Sequence, residues 1–278
     1  MNGVLIGRSL RDSWLMLVGC AALVAAFVTL RVWIASMIKF DAFIQLFSEG
    51  LKFVQGLFPV PLEDLASPLG RVAFSFEEFP TIVIMGLWGI ARGSECIVGR
   101  VGAGTMEMLL AQPIRRLSVV TSHAVVTLAG VAVLAAAAWC GVGFGLMIAE
   151  FDAPPAWSKY GPATLNYMGL GVFIACAATL VSALARTRAQ AVGLVVGFYV
   201  VELTLMIMSR LSDRFEWLQW FTILTAYEPT LLTIGIEREP GAAWPQFWQY
   251  NAVLFGLGGL LLAAATAIFC RRDVPAPL

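Results

Sequence analysis

Six stretches of this chain are long and apolar enough to cross a lipid bilayer, and that decides most of what it can fold into. A span needs about 20 consecutive, mostly apolar residues. The stretches fall at about 14–38, 79–99, 119–149, 162–185, 189–209 and 250–270. In lipid every backbone N–H and C=O must find its partner within its own segment, so each stretch is read as a helix. Barrel strands would alternate polar and apolar residues over short lengths, and these runs do not. Only 13% of the residues are charged, where soluble domains sit near one quarter. The first run is too long for a signal peptide, and no small-residue cleavage site follows it. No linker, low-complexity tract or second soluble domain is legible. The expectation is an all-α polytopic membrane protein, with residues 1–278 forming a single transmembrane domain.

Charge orients these helices. Arg8 and Arg11 precede the first span. Arg92, Arg100, Arg115 and Arg116 lie within or beyond the inner half of the second. Arg186 and Arg188 separate the fourth and fifth, and Arg271 and Arg272 follow the sixth. The acids on that side are Asp12, Glu95, Glu107 and Asp273. The formal net charge of zero therefore hides a strong asymmetry. By the positive-inside rule both termini are expected in the cytoplasm, in a multi-pass protein of the plasma (inner) membrane.

The two outer loops are long, at about 39–78 and 210–249. In the first, Phe40, Phe43, Ile44, Phe47, Leu51, Val54 and Leu57 recur at helical spacing. That pattern predicts a helix lying in the outer interface or capping the bundle. The second loop carries Trp217, Trp220, Trp244 and Trp248, as an aromatic belt would. Gly89/Gly93, Gly141/Gly145 and Gly193/Gly197 have the spacing that permits close helix contact. The five cysteines form no Cys-x-x-Cys pair and are read as small buried apolar side chains. Arg31 and Glu202 are the charges inside the outer halves of spans. Charge in lipid is expensive, and a mutual ion pair is one reading of the two.

Several chemistries are not written in the chain. The lysines are Lys39, Lys52 and Lys159, and none sits in a nucleotide-binding Gly-x-x-x-x-Gly-Lys-Ser/Thr loop. His123 is the one histidine, so no multi-histidine metal site is expected. It is read at a helix end or surface. No Gly-x-Ser-x-Gly elbow occurs. The expectation is no catalytic residue, cofactor, metal or nucleic-acid partner.

One segment is not needed to hold a protein in a bilayer. Arg100–Arg116 contains Gly102 and Gly104, then Thr105, Met106, Glu107, Leu109 and Leu110, then Pro113, Arg115 and Arg116. Thr105 suits an N-cap and Glu107 the positive end of a helix dipole. Met106, Leu109 and Leu110 make an apolar face. Pro113 limits the helix, and the arginines favour its carboxyl end and an anionic leaflet.

The pattern Gly104-Thr105-x-Glu107-x-Leu109-Leu110-x-x-Pro113-x-x-Arg116 resembles the signature of permease subunits of ABC transporters of the type-2 (ABC-2) exporter class. Those permeases have six spans, cytoplasmic termini and a motif of this form between the second and third spans. Arg186, Arg188 and Gln190 fall where the family has a second cytoplasmic contact. The family often has acidic residues just before the Gly-Thr pair, whereas here Arg100 and Gly102 stand there. The resemblance implies a separate ABC ATPase subunit, a second permease copy or a homologous permease, and a coupling helix at 105–112 seated in the ATPase. ATP hydrolysis would then occur on that partner. Spans rich in alanine, leucine, valine and glycine favour a hydrophobic or amphipathic cargo. The same helix also suits a non-transporting membrane scaffold that anchors a cytoplasmic partner. A secondary carrier is the third reading, disfavoured by the scarcity of membrane-buried charge.

Overall fold

A computed structural model describes residues 3–37, 60–211 and 213–271. The apolar face read at 40–57 lies outside the described residues. Six helices are long and apolar enough to cross a membrane: Gly3–Met37, Pro68–Gly102, Arg116–Ile148, Trp157–Leu184, Arg188–Leu211 and Pro240–Arg271. They are called the first to sixth spans below. No strand occurs among the described residues.

Three spans, the first, second and sixth, begin well before their apolar runs. The first starts at Gly3, not near residue 14, so Arg8, Arg11 and Asp12 ride on the helix itself. The sixth starts at Pro240, not near residue 250. Hydropathy marks where a helix meets lipid, whereas backbone hydrogen bonding lets it continue past the hydrocarbon. The second span is broken rather than smooth. Its first turns, Pro68–Ala73 and the 3-10 turn Phe74–Phe76, lead into Phe79–Ser94. Pro80, which has no N–H to give, sits in the first turn of that last segment, where its loss costs nothing. A π-helical turn, Glu95–Gly99, and a short helix, Arg100–Gly102, complete the span.

The fourth span is the central column. Its most apolar stretch is 72% buried, against 17% for the fifth span and 22% for the first and sixth. Glycine makes this packing close. A Cβ on Gly93 would meet the Ala175 carbonyl oxygen of the fourth span at 2.7 Å. One on Gly141 would meet the Ala25 oxygen of the first span at the same distance. The third predicted pair does not act this way, since nothing lies within 4 Å of a Cβ on Gly193 or Gly197. Cys20, Cys96 and Cys176 are buried as expected, but Cys140 and Cys270 are exposed on the outside of the bundle.

At the end remote from the arginine-rich termini, short helices and turns roof the bundle. They are Leu62–Ala66, Asp213–Phe221, Ile223–Ala226 and Pro229–Arg238. Many polar groups there find specific partners. The Asn166 amide donates to the Ala226 carbonyl at 2.9 Å and accepts the Glu228 N–H at 3.1 Å. Glu77 accepts the Thr230 N–H at 2.9 Å, and the Tyr227 hydroxyl donates to the Phe76 carbonyl. Arg210 pairs with Glu228 at 2.6 Å, Asp64 with Arg238, and Lys159 with Glu237. Burial outweighs the Arg210 pair and, with Glu77 adding to it, pushes the Glu228 carboxyl up to about 7. The four predicted belt tryptophans, Trp217, Trp220, Trp244 and Trp248, are all exposed around this end.

Candidate functional site

The segment after the second span folds into a small platform at the arginine-rich end. Gly104 adopts φ +68°, the one left-handed residue among those described. A side chain would be strained at that angle, so glycine turns the chain there. The helix Thr105–Leu110 follows. Gly104, not Thr105, is its N-cap. The Thr105 hydroxyl instead donates back to the Arg100 carbonyl at 3.2 Å, closing the turn from behind. The helix ends at Leu110 rather than continuing to 112. Ala111 donates to the Glu107 carbonyl, and Ile114 then donates to Gln112 at 2.7 Å, so the chain has already turned. Pro113 accounts for this, because a residue before proline is pushed out of helical geometry.

The side chains divide sharply. Met106 is fully buried, packed in a cluster with Cys96, Ile97, Val119, Val120 and Phe269. Those residues belong to the ends of the second, third and sixth spans. Glu107 and Met108 face outward, with Met108 67% exposed. Leu109 is half-buried. Met108, which the sequence reading left off the apolar face, is therefore the apolar side chain the platform presents. Arg116 opens the third span and donates to the Phe269 carbonyl of the sixth at 3.4 Å. It ties two spans together where the platform joins them.

The second predicted element lands beside the first. Thr187 accepts the Gln190 N–H at 3.2 Å, while the Gln190 side chain accepts the Arg186 N–H at 3.2 Å. This reciprocal cap starts the fifth span. Arg188 then lines one cleft with Thr105, Met108, Leu109 and Gln112 of the platform. The structure thus unites two sites the sequence placed 80 residues apart only as separate loops.

Behind the platform lies a buried polar cluster that sequence reasoning missed. Arg92 is 2% exposed. Its guanidinium donates to Glu95 at 2.8 Å and to the Ser9 hydroxyl at 2.6 Å. His123, expected at a surface or helix end, is buried against it. Its Nε2 meets the Arg92 carbonyl at 2.7 Å, while Nδ1 faces the Arg92 and Arg100 guanidiniums at 3.4 and 3.1 Å. These partners assign the ring proton to Nε2 and leave Nδ1 to accept. The signal available in the sequence was Arg92 and Glu95 three residues apart inside an apolar run, on one helical face.

Arg31 and Glu202 do not pair with each other. Arg31 pairs with Glu78 of the second span. Glu202 is buried and accepts the Ile223 N–H at 2.7 Å, so it anchors the turn Ile223–Ala226. Each charge has a local structural partner, as lipid-buried charge requires. Among the described residues no group of His, Cys, Asp and Glu side chains is arranged to hold a metal.

A family model described as ABC-2 family transporter protein covers residues 29–274. A comparison with curated proteins finds no match.

Proposed function

Because the chain belongs to the ABC-2 transporter family and is a multi-pass membrane permease, we propose that it exports its substrate using ATP hydrolysed by a separate ABC ATPase that docks on the Thr105–Leu110 helix. The observation that carries this reading is the split of that helix. Met106 is locked into the ends of three spans, while Glu107 and Met108 are free to meet a partner. A force applied to the outer face is then delivered to the spans, not absorbed by a loop. Arg188, beside the platform at the start of the fifth span, extends the contact. Gly104, Pro113 and Arg116 shape and anchor the element, with Leu110 closing its helix; Arg186 and Gln190 shape the second contact.

In this reading residues 1–278 form one permease domain of the inner membrane, with both termini and the platform cytoplasmic. A second permease, identical or homologous, completes the pathway. ATP binding closes the ATPase pair, and the platform converts that closure into tilting of the spans. This is a two-state element biased by a ligand on another chain. The cargo is hydrophobic or amphipathic.

The test uses Glu107→Arg with Met108→Asp, two exposed positions. Membrane insertion and thermal stability should match the parent. Copurification of a P-loop ATPase from the native membrane, and ATP-driven export, should both be lost. Retention of the ATPase by the double variant would overturn the docking site.

A further inference from the structure

We infer that the cleft between the start of the first span and the Thr105–Leu110 helix binds the phosphate of an anionic phospholipid. The cleft has a volume of about 440 Å³. Arg8, Arg100 and Arg188 converge on it from three different spans, with Ser9 and Gln112 adding polar side chains to its lining. Its acids are Asp12 and Glu95. Glu95 is already engaged by the buried Arg92. Asp12 is thus the one remaining acid in a lining with three arginines, none of which makes an ion pair among the described residues.

Crowded cations need an anion. Glu95 balances Arg92, but Arg100 turns toward the same His123 nitrogen as Arg92, a neutral acceptor that cancels no charge. Two guanidiniums this close repel, and partial burial weakens the screening that would relieve them. A phosphate diester supplies the missing charge and suits the forked donors of arginine.

Geometry favours a lipid as the source of that phosphate. The cleft lies at the membrane-proximal ends of spans. Leu5, Met108 and Leu109 give it an apolar rim. Arg8 and Asp12 mark one face of the first span, and helical spacing continues that face through Leu15, Gly19 and Leu23. Leu15 and Leu23 are 69% and 61% exposed, and Gly19 is exposed with nothing within 4 Å of its Cβ position. A headgroup in the cleft would lay its acyl chains along this exposed face. The cleft shares Met108 and Arg188 with the proposed ATPase contact, but Arg8 and Asp12 of the first span belong to the cleft alone, so lipid retention and ATPase copurification can fail separately.

Native mass spectrometry of the full chain in detergent tests it, with phosphatidylglycerol, phosphatidylcholine of the same chains, or inorganic phosphate added. The parent should retain phosphatidylglycerol in preference to phosphatidylcholine. Arg8→Gln with Arg188→Gln should weaken that retention about thirtyfold, taking about 1 kcal/mol for each arginine near an anionic headgroup. Asp12→Asn should strengthen it, an opposite change that misfolding would not produce. Equal retention of both lipids would overturn the proposal, and is the result expected if an acidic protein segment fills the cleft. Equal binding by parent and double variant would also overturn it. Displacement of the lipid by millimolar inorganic phosphate would reassign the site to a free anion.

Discussion

The two ends of the bundle handle charge in opposite ways. At the roofed end, Arg31, Asp64, Lys159, Arg210 and Glu228 each have an oppositely charged partner, and Glu77 accepts a backbone N–H. At the platform end, Arg8, Arg100 and Arg188 line an open cleft, and among the described residues the ion pair there is the buried Arg92 with Glu95 at the cleft wall. Matched charge holds structure together and leaves little to offer a partner. Unmatched charge costs stability unless something outside the chain completes it, so its concentration at one end marks where the chain meets other molecules. The apolar groups follow the same division. The platform is held by one buried side chain, Met106, and presents another, Met108, to its surroundings.

This contrast predicts that neutralising a cation matters at one end only. Arg210→Gln, measured at about pH 9 where the parent Glu228 is ionised, leaves that buried carboxyl without its cation and should lower stability by about 3 kcal/mol. Arg188→Gln, on the cleft, should stay within about 0.5 kcal/mol in lipid-free detergent. Equal losses in thermal unfolding would break the comparison.

Met106→Ala probes the apolar anchor of the platform. Removing a buried methionine side chain costs about 2–5 kcal/mol where the site cannot collapse. Met106 sits in the small cluster at the span ends and not in the main core of the bundle, so the lower part of that range is expected. Hydrogen exchange should rise across 100–116 first and leave the fourth span protected. Uniform loss of protection would show that the platform is not a separate unit.

The roofed end should also respond to pH. The Glu228 carboxyl stands at about 7, above its ordinary 4.5. The folded chain therefore holds a proton the unfolded chain has released. The stabilisation is fully present below about 4.5 and is lost as pH rises through about 7. The unfolding temperature should fall across that window, and Glu228→Gln should flatten the dependence. An unchanged slope in that variant would place the titrating group elsewhere.

The smallest effect is expected at the second contact. Thr187→Ala removes the side-chain cap of the fifth span and should cost about 1 kcal/mol. Gln190 would then lose its ordered partner turn. Exchange of the 186–191 amides is the sensitive readout.

The fold class was legible because the rule behind it is local. Backbone hydrogen bonds in lipid close within a segment, so a long apolar run means a helix whatever surrounds it. The turn at Gly104 and the stop at Pro113 were legible for a similar reason, since both act through the dihedral angles of one or two residues. The cap was misassigned to Thr105 because glycine and threonine both serve there, and the choice fell to a hydrogen bond with Arg100. The glycine pairs show the same limit. Spacing permits close approach, but only a neighbouring helix decides whether Gly93 is pressed against the fourth span or Gly193 is left open.

What the sequence determined by itself was the set of six helices, the side bearing the arginines and the presence of a short helix between the second and third spans. What only the tertiary structure decided was which charges meet. Arg31 found Glu78 rather than Glu202, and Ser9, Arg92 and His123 came together from three spans. Arg8, Arg100 and Arg188 came to share one cleft. The reason is range. Helix formation is settled over a few residues of chain, whereas an ion pair or a binding cleft depends on the rotation and height of helices whose packing no single segment encodes.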